Sequence, residues 1–351
     1  MFFKRILKAL IGFVSIAIVA VALINFLPDG KVSSLLQIKK VVEPTNSLSG
    51  RVGSDGPILA VKIDDTAPAH PQAGLEDADI VYIEQVEGGL TRLAAIFSSK
   101  IPEVIGPVRS ARISDIEILE QFGKVAFAYS GAQSKLLPVI ASANVINLGA
   151  QRQSPQIYTT DPLRRAPTAM MLQAQKLMAN VAKAQLLVAT SKPIGWIFGE
   201  KPETGTAISS VKVSWSANSY TATWSDEEKR WLLSHRDSPN LSSSGVHLGP
   251  TTFVIQLISI TDSIYRDKVG GVTPYSQTVG AGKGYVLRDG LAIAANWSRP
   301  SGDQGTTWKT VTGDEIKFAA GQVWIALTDK APVFTPVAPA NKEDATGPSA
   351  K

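Results

Sequence analysis

The chain has 351 residues, 44% of them hydrophobic, which is enough for two globular domains with substantial cores. It contains no cysteine, which excludes disulfides, thiol catalysis, thiolate metal sites and a lipid attached to an N-terminal cysteine. The formal net charge is +5, but three of the 35 basic residues adjoin an apolar N-terminal run, which leaves the rest of the chain near balance against 30 acidic residues. We therefore predict no nucleic-acid binding, which needs a concentrated basic face.

The N-terminal segment, residues 1–27, predicts a single-pass signal anchor. Its apolar run, ILKALIGFVSIAIVAVALINFL, is long enough to cross a hydrocarbon layer about 30 Å thick as a helix. Positive residues precede the run, so the N-terminus should be cytoplasmic and the residues after Pro28 should lie outside the cytoplasm. Cleavage at Ala20-Val21-Ala22 is the alternative. We favour an uncleaved anchor in the cytoplasmic membrane, because cleavage would create an apolar terminus at Leu23.

Composition divides the remaining chain into four segments. Residues 28–55 are polar and turn-rich, which predicts a stalk or linker. Residues 56–195 alternate strand-like and helix-like stretches, which predicts a mixed α/β or α+β domain. Residues 196–330 contain all seven tryptophans and short β-prone stretches between turns, which predicts a strand-dominated domain. Residues 331–351 have no hydrophobic periodicity and predict a disordered tail.

Strand and helix signals can be placed within these domains. In the first domain, PILAVKI, DIVYIEQ, TRLAAIFS and KVAFAYS predict strands, as do SYTATW, RWLLSH, TTFVIQLISI, GYVLRDG, LAIAANW and QVWIALT in the second. SDIEILEQFG predicts a helix, because Ser114 and Glu117 have capping-box spacing and Gly123 can end it. PTAMMLQAQKLMANVAKAQ, residues 167–185, predicts the clearest helix, with Pro167 in its first turn.

The charges of the first domain are unevenly distributed. Acidic residues dominate between residues 62 and 120, and basic residues dominate between residues 121 and 192. The two stretches could form opposite walls of a charged cleft, or they could be ordinary surface charges.

The first polar cluster is AVKIDDTAPAHPQAG, which contains Asp64, Asp65, His70 and Gln72. Paired carboxylates at a strand end can bind a divalent cation or shift each other's pKa. The alternative is a turn in which the aspartates accept backbone hydrogen bonds. Apart from a candidate cation at Asp64 and Asp65, the sequence predicts no cofactor.

The second cluster is IVYIEQVEGGLTRL, in which Glu84 and Glu87 precede a Gly-Gly pair and Arg92 follows it. If the first part is a strand, Tyr82 and Glu84 share one of its faces. The residues are candidates for a binding site. The alternative is a hairpin with Gly88-Gly89 as its turn and a Glu–Arg cross-strand pair.

The third cluster is IGPVRSARISD, in which Arg109, Ser110 and Arg112 lie just before the predicted helix start. Guanidinium groups beside a helix N-terminus form a good site for a phosphate or carboxylate. Equally, the two arginines could neutralise the carboxylates of the first two clusters. Hydrolase elbows, zinc-protease motifs, Walker loops and dinucleotide fingerprints are absent from the sequence in a suitable context.

Taken together, these stretches resemble the YerB-like family of bacterial lipoproteins, whose two parts are both domains of unknown function. The resemblance rests on AVKIDD…AHPQAGLEDADIVY, VEGGLTRLAAIF, IGPVRSARISD, AYSGA, RRAPTAM, VGAGKGYVLRDGLAIAANW and FAAGQVWIAL. Four positions in three stretches depart from the family pattern. Asp65 stands where the pattern has Asn, His70 where it has Arg, and Thr168-Ala169 where it has His-Asn. The resemblance implies an envelope protein and assigns no activity.

The sequence therefore predicts a membrane-anchored extracytoplasmic protein that binds peptidoglycan, an anionic envelope polymer or an envelope protein through a charged cleft in its first domain. The candidate binding residues are Asp64, Asp65, His70, Gln72, Glu84, Glu87, Arg92, Arg109, Ser110 and Arg112. The alternative is an envelope-acting hydrolase or transferase with a carboxylate pair and an arginine anion clamp. A purely structural scaffold is a third interpretation.

Overall fold

The computed structural model describes residues 43–338, and residues 44–338 belong to one compact unit. The predicted anchor lies outside the described residues. Within them, no helix is long and apolar enough to cross a membrane.

Among the described residues, helices are outnumbered by strands. These are β1 (Leu59–Asp64), β2 (Ile80–Gln85), β3 (Thr91–Phe97), β4 (Val104–Ile105), β5 (Val125–Ala128), β6 (Val145–Asn147), β7 (Tyr158–Thr160), β8 (Met170–Gln173), β9 (Thr206–Ser214), β10 (Ser219–Ser225), β11 (Arg230–His235), β12 (Ser238–Pro239), β13 (Thr252–Leu257), β14 (Ile260–Arg266), β15 (Val272–Ser276), β16 (Gly280–Arg288), β17 (Leu291–Arg299), β18 (Thr307–Thr310), β19 (Val323–Thr328) and β20 (Val333–Pro336). The α-helices are α1 (Ile113–Glu120), α2 (Leu137–Ser142) and α3 (Ala174–Lys183).

One large mixed sheet runs through both halves of the sequence. Its strand order is β12-β11-β10-β9-β17-β16-β13-β19-β2-β3-β1-β5-β6, with β18 on β17 and β20 on β9. Strand β19 pairs in parallel with β13 on one side and with β2 on the other. The first and second halves are therefore joined by continuous backbone hydrogen bonding. The boundary at residue 196 remains a prediction that rests on composition.

The central strands are buried on both faces, because hydrophobic clusters cover each side of the sheet. Strands β1, β3 and β19 have no exposed residue, which explains their nearly continuous apolar sequences. Alternation along β1 sends Val61 into one cluster and Ala60 into the other. Lys62 therefore lies on the Ala60 face, and the same rule places Glu84 with Tyr82, as predicted from the sequence.

Two helix predictions need revision at their N-terminal ends. The helix predicted from SDIEILEQFG is confirmed as α1, but the Arg112 backbone N–H donates to Asp115 (2.6 Å), which provides the cap. The Ser114 hydroxyl instead accepts a hydrogen bond from the backbone of Ser276 (3.0 Å). The helix predicted for residues 167–185 is wrong in its first part, because Met170–Gln173 pairs as strand β8 between β4 and β7.

The predicted stalk and tail are both wrong where they adjoin the core. Thr45 pairs with Val52 and the Leu48 side chain is fully buried, so residues 44–55 pack against the fold. At the other end, β20 pairs antiparallel with β9, with Phe334 opposite Val211. The rest of the predicted tail, from residue 339, lies outside the described residues.

Because β19 comes from the second half of the chain, we predict that the first half is not stable when it is expressed alone. Residues 43–195 expressed alone should aggregate and melt without cooperativity, because β2 would become an apolar edge strand with unpaired backbone groups. Circular dichroism melting and size-exclusion chromatography would measure this, with the full chain as the control. A cooperative melt of the monomeric fragment would instead show that the first half is an independent domain.

Candidate functional site

The three polar clusters meet where strands β1, β2 and β3 end. In the sheet, Arg92 on β3 lies opposite both Asp64 on β1 and Glu84 on β2. The chain after β4 runs beside β1, because the Arg109 N–H donates to the Lys62 carbonyl (2.8 Å). The glycines of the predicted hairpin turn have positive φ (Gly88 69°, Gly89 71°), a conformation that favours glycine. Strands β2 and β3 pair as an antiparallel hairpin with Gly88-Gly89 in its turn, which confirms that alternative for the second cluster.

Arg109 and Arg112 both pair with carboxylates of the same chain. Arg109 Nε lies 2.7 Å from Asp64 Oδ2, and Arg112 Nε lies 2.7 Å from Glu87 Oε1. The Thr273 hydroxyl from β15 also donates to Glu87. Burial alone would raise the pKa of Glu87, but Arg112 outweighs it and lowers that pKa. Arg109 and Arg112 therefore neutralise carboxylates of the first two polar clusters, which is one of the two roles considered from the sequence.

Arg92 differs from the other two arginines because it has no carboxylate partner. Its residue exposure is 6%, and its Nη1 donates to the Ser110 backbone carbonyl (3.0 Å). Within residues 43–338 it forms no ion pair. Burial, followed by the positive charges of Arg112 and Arg109, lowers the pKa of Arg92 to about 9. The charges of Glu87 and Asp64 oppose this lowering only in part, so the Arg92 guanidinium is incompletely neutralised.

A cavity of about 350 Å³ opens onto these arginines. We call it the arginine cavity. Its lining from the first half of the chain includes Glu87, Arg92, Arg109, Ser110, Ala111 and Arg112, and its lining from the second half includes Tyr265, Arg266, Asp267, Lys268, Val269 and Thr273. Sequence reasoning missed the second group, which belongs to β14, β15 and the turn between them. The only sequence signal was the basic stretch YRDK before a Gly-Gly pair.

Glu84 lies outside this cavity in a buried ionic triad. Lys62 is 0% exposed, and its Nζ contacts Glu84 Oε1 and lies 2.7 Å from Asp115 Oδ1. Burial, reinforced by the Asp115 charge, raises the pKa of Glu84 to about 7. The triad fixes α1 to the sheet, because Asp115 also accepts the Arg112 backbone N–H. Sequence reasoning did not single out Lys62 or Asp115.

Asp64 and Asp65 lie in different environments. The two carboxylates therefore do not form the shared cation site that was considered from the sequence. Asp65 points away from the arginines and accepts hydrogen bonds from Tyr220 Oη (2.5 Å), Asn218 Nδ2 (3.2 Å) and the Thr91 hydroxyl. Burial would raise the pKa of Asp65, but hydrogen bonding and charge from the nearby histidines lower it. Burial and the neighbouring carboxylate raise the pKa of Tyr220.

His70 and Gln72 accompany Asp65 rather than the arginines. His70 Nε2 lies 3.3 Å from Asp65 Oδ1, and Gln72 Nε2 donates to the Asp64 carbonyl (3.2 Å). His235 on β11 stacks on His70 with ring centroids 4.1 Å apart. We call Asp65, His70 and His235 the histidine cluster. Burial lowers the pKa of His235, and the charge of Asp65 only partly opposes it.

The residues predicted to line a single cleft therefore belong to three separate groups. Glu87, Arg92, Arg109, Ser110 and Arg112 line the arginine cavity, and Asp64 contacts it through Arg109. Asp65, His70 and Gln72 form the region of the histidine cluster. Glu84 belongs to the buried triad.

Known proteins carry the same two-part organisation. Residues 45–187 match the N-terminal domain of DUF3048, a family described as proteins of unknown function, and residues 211–325 match its C-terminal domain. The chain belongs to this YerB-like family. The protein named "Putative lipoprotein YerB", from Bacillus subtilis (strain 168), is 42% identical over 73 residues, which are 21% of this chain and 22% of the relative. The sequence match thus spans about a fifth of that relative's length.

A solved structure shows the shared fold. The crystal structure of the YerB protein from Bacillus subtilis superposes with a TM-score of 0.70 at 20% sequence identity, over 84% of this chain and 100% of that chain. The residues that depart from the family pattern in the sequence lie close together in the folded chain. Asp65 and His70 are in contact, and Thr168 lines an open cavity beside His70.

The buried triad predicts a pH dependence of stability. The pKa of Glu84 rises from its ordinary value of 4.5 to about 7 on folding, so the folded state holds more protons between these values. The free energy of unfolding should therefore fall as the pH rises from 5 to 7, by at most about 1.4 kcal/mol per pH unit from this group. Glu84→Gln should flatten this dependence in urea denaturation.

The exposed Glu103→Gln variant is the matched control for the same chemical change. It should keep the pH dependence of the unaltered chain. Equal curves for Glu84→Gln and the unaltered chain would show that the pKa of Glu84 is not raised.

Proposed function

We propose that this chain is a membrane-associated protein of the cell envelope that acts outside the cytoplasm and holds an anionic group of an envelope polymer in the arginine cavity. The Bacillus subtilis relative carries a lipoprotein name. This chain lacks cysteine, and its apolar run at residues 6–27 offers a different route to the membrane.

The observation that carries the proposal is the state of Arg92. The carboxylates that neutralise Arg109 and Arg112 leave Arg92 buried between two other cations, at a cost in electrostatic free energy. An anion that enters the cavity reduces this cost. Ligand binding thus gains from a charge that the folded chain compensates only in part.

The chemistry of the lining selects phosphate or carboxylate. Five of the charged lining side chains are basic, namely Arg92, Arg109, Arg112, Arg266 and Lys268, and two are acidic, namely Glu87 and Asp267. Glu87 is already paired with Arg112, which holds that guanidinium in a fixed orientation. Planar, oriented guanidinium groups bind oxyanions with paired hydrogen bonds. A phosphodiester or carboxylate of an envelope polymer fits these donors better than an uncharged glycan.

The enzyme alternative gains less from this geometry. It requires two carboxylates, free to exchange protons, in one water-accessible cavity beside Arg109. Glu84 is enclosed with Lys62, while Asp64 and Glu87 are each paired with an arginine. Binding without turnover is therefore the function that these contacts favour.

Ligand titration tests the proposal with the purified full chain. A poly(glycerol phosphate) oligomer should bind, and its affinity should fall as salt is raised, because the contacts are ionic. Arg92→Gln should weaken binding about tenfold or more, since a hydrogen bond to a charged group contributes about 1.5–3 kcal/mol. Calorimetric titration measures both effects.

The exposed Arg152→Gln variant removes the same charge away from the cavity and should bind as the unaltered chain does. Equal weakening by the two variants would indicate non-specific attraction. Retention of peptidoglycan fragments or an envelope protein, with no binding of the phosphate polymer, would contradict the anionic-polymer proposal.

A further inference from the structure

We propose that the histidine cluster binds one divalent transition-metal ion of the Zn²⁺ type through Asp65, His70 and His235. The site is separate from the arginine cavity and does not depend on the anion-binding function. The three residues come from two distant parts of the chain, the segment after β1 and strand β11.

The spacing of the ligand atoms fits an ion at their centre. One carboxylate oxygen and one nitrogen from each histidine lie within 4.8 Å of one another. Asp65 Oδ1 is 3.3 Å from His70 Nε2 and 4.0 Å from His235 Nε2. Bonds of about 2.0–2.1 Å in a tetrahedral site separate ligand atoms by about 3.3 Å. The Asp65–His70 spacing already has this value, and the Asp65–His235 spacing of 4.0 Å would have to shorten by about 0.7 Å.

The second observation is a buried histidine nitrogen that has no hydrogen-bond partner within residues 43–338. His235 has 7% of its side chain exposed, and its Nε2 is buried without a hydrogen-bond partner among the described residues. His70 Nδ1 contacts Asn240 Oδ1 (3.0 Å), an acceptor, so the ring proton belongs on Nδ1 and the His70 Nε2 lone pair faces Asp65. His235 Nε2, the His70 Nε2 lone pair and the Asp65 carboxylate therefore converge. The Gln72 amide faces His70 Nε2 (3.3 Å) in this structure, and a bound cation would take over its contact with that lone pair.

The surrounding contacts orient these ligands as outer partners do in metal sites. Asn240 holds the His70 ring, while Tyr220, Asn218 and Thr91 donate to the Asp65 carboxylate.

The donor set and the access route narrow the choice of ion. Two imidazole nitrogens and one carboxylate oxygen suit zinc and related transition metals, whereas Ca²⁺ and Mg²⁺ prefer all-oxygen sites. His70 keeps 16% of its side chain exposed and lines an open cavity with Asp161, Arg164 and Thr168. An ion can enter from this side, where the Gln72 amide, 3.3 Å from His70 Nε2, must turn aside. The fourth coordination position would face the same cavity.

The purified full chain, stripped with a chelator and dialysed against Zn²⁺, should bind one ion per chain by elemental analysis. Co²⁺ in place of Zn²⁺ should give the intense visible absorption of a tetrahedral site, a readout that requires no variant. His70→Ala and His235→Gln should each lower Zn²⁺ affinity by more than about 100-fold. Asn240→Ala should lower it about 10–100-fold, as the loss of an outer partner does.

His247→Gln is the matched control, because His247 is the third and last histidine of the chain and its ring contacts the Leu233 carbonyl instead. This variant should bind Zn²⁺ as the unaltered chain does. Circular dichroism confirms that each variant is folded. The proposal would be overturned if the unaltered chain bound no stoichiometric Zn²⁺, or if folded His70→Ala and His235→Gln bound Zn²⁺ as tightly as the unaltered chain.

Discussion

The parallel hydrogen-bonded ladder between β2 and β19 is the interaction on which the rest of the structure depends. It inserts a strand from the end of the chain beside one from its beginning, with Ile80 opposite Val323. Strand β19 also pairs with β13, which connects the other strands of the second half to the same sheet. The β14–β15 hairpin can therefore reach the first half, where Thr273 donates to Glu87 and Ser276 donates to Ser114. Without this ladder neither candidate site would be complete.

The period of two along β1 separates the two sites. Asp64 and Asp65 are neighbours in sequence, and successive side chains of an extended segment point to opposite sides. Asp64 consequently meets Arg109, while Asp65 meets Tyr220 and the histidines. Two adjacent carboxylates thus enter different electrostatic environments, one dominated by guanidinium groups and the other by hydroxyl, amide and imidazole groups.

Charge balance explains which polar groups are structural and which remain open to ligands. Lys62 is matched by two carboxylates, and Arg109 and Arg112 by one each. These pairs are buried or half-buried, and the loss of one partner would leave a costly unpaired charge. Arg92 is the buried cation in this region that forms no ion pair with a carboxylate of the described chain. Among the described residues, His235 Nε2 is likewise a buried polar atom without a hydrogen-bond partner.

Local patterns in the sequence predicted the strands around the site, the hairpin turn at Gly88-Gly89 and helix α1. These features depend on side-chain alternation, glycine conformation and capping, which act over a few residues. The same patterns failed at residues 170–173, where tertiary pairing with β4 and β7 overrode helix propensity. They failed again at the stalk and tail, where polar, turn-rich composition concealed segments that pair with the sheet.

The sequence by itself determined the candidate residues, the apolar N-terminal run and the family resemblance. Only the tertiary structure decided which candidates share a site. His235 lies 170 residues from Asp65, and Arg266 lies 174 residues from Arg92, so no local pattern relates them. Their proximity follows from the strand order, in which β19 joins the two halves. Long-range pairing of this kind is set by the burial of entire strands, a property of the whole fold rather than of any short segment.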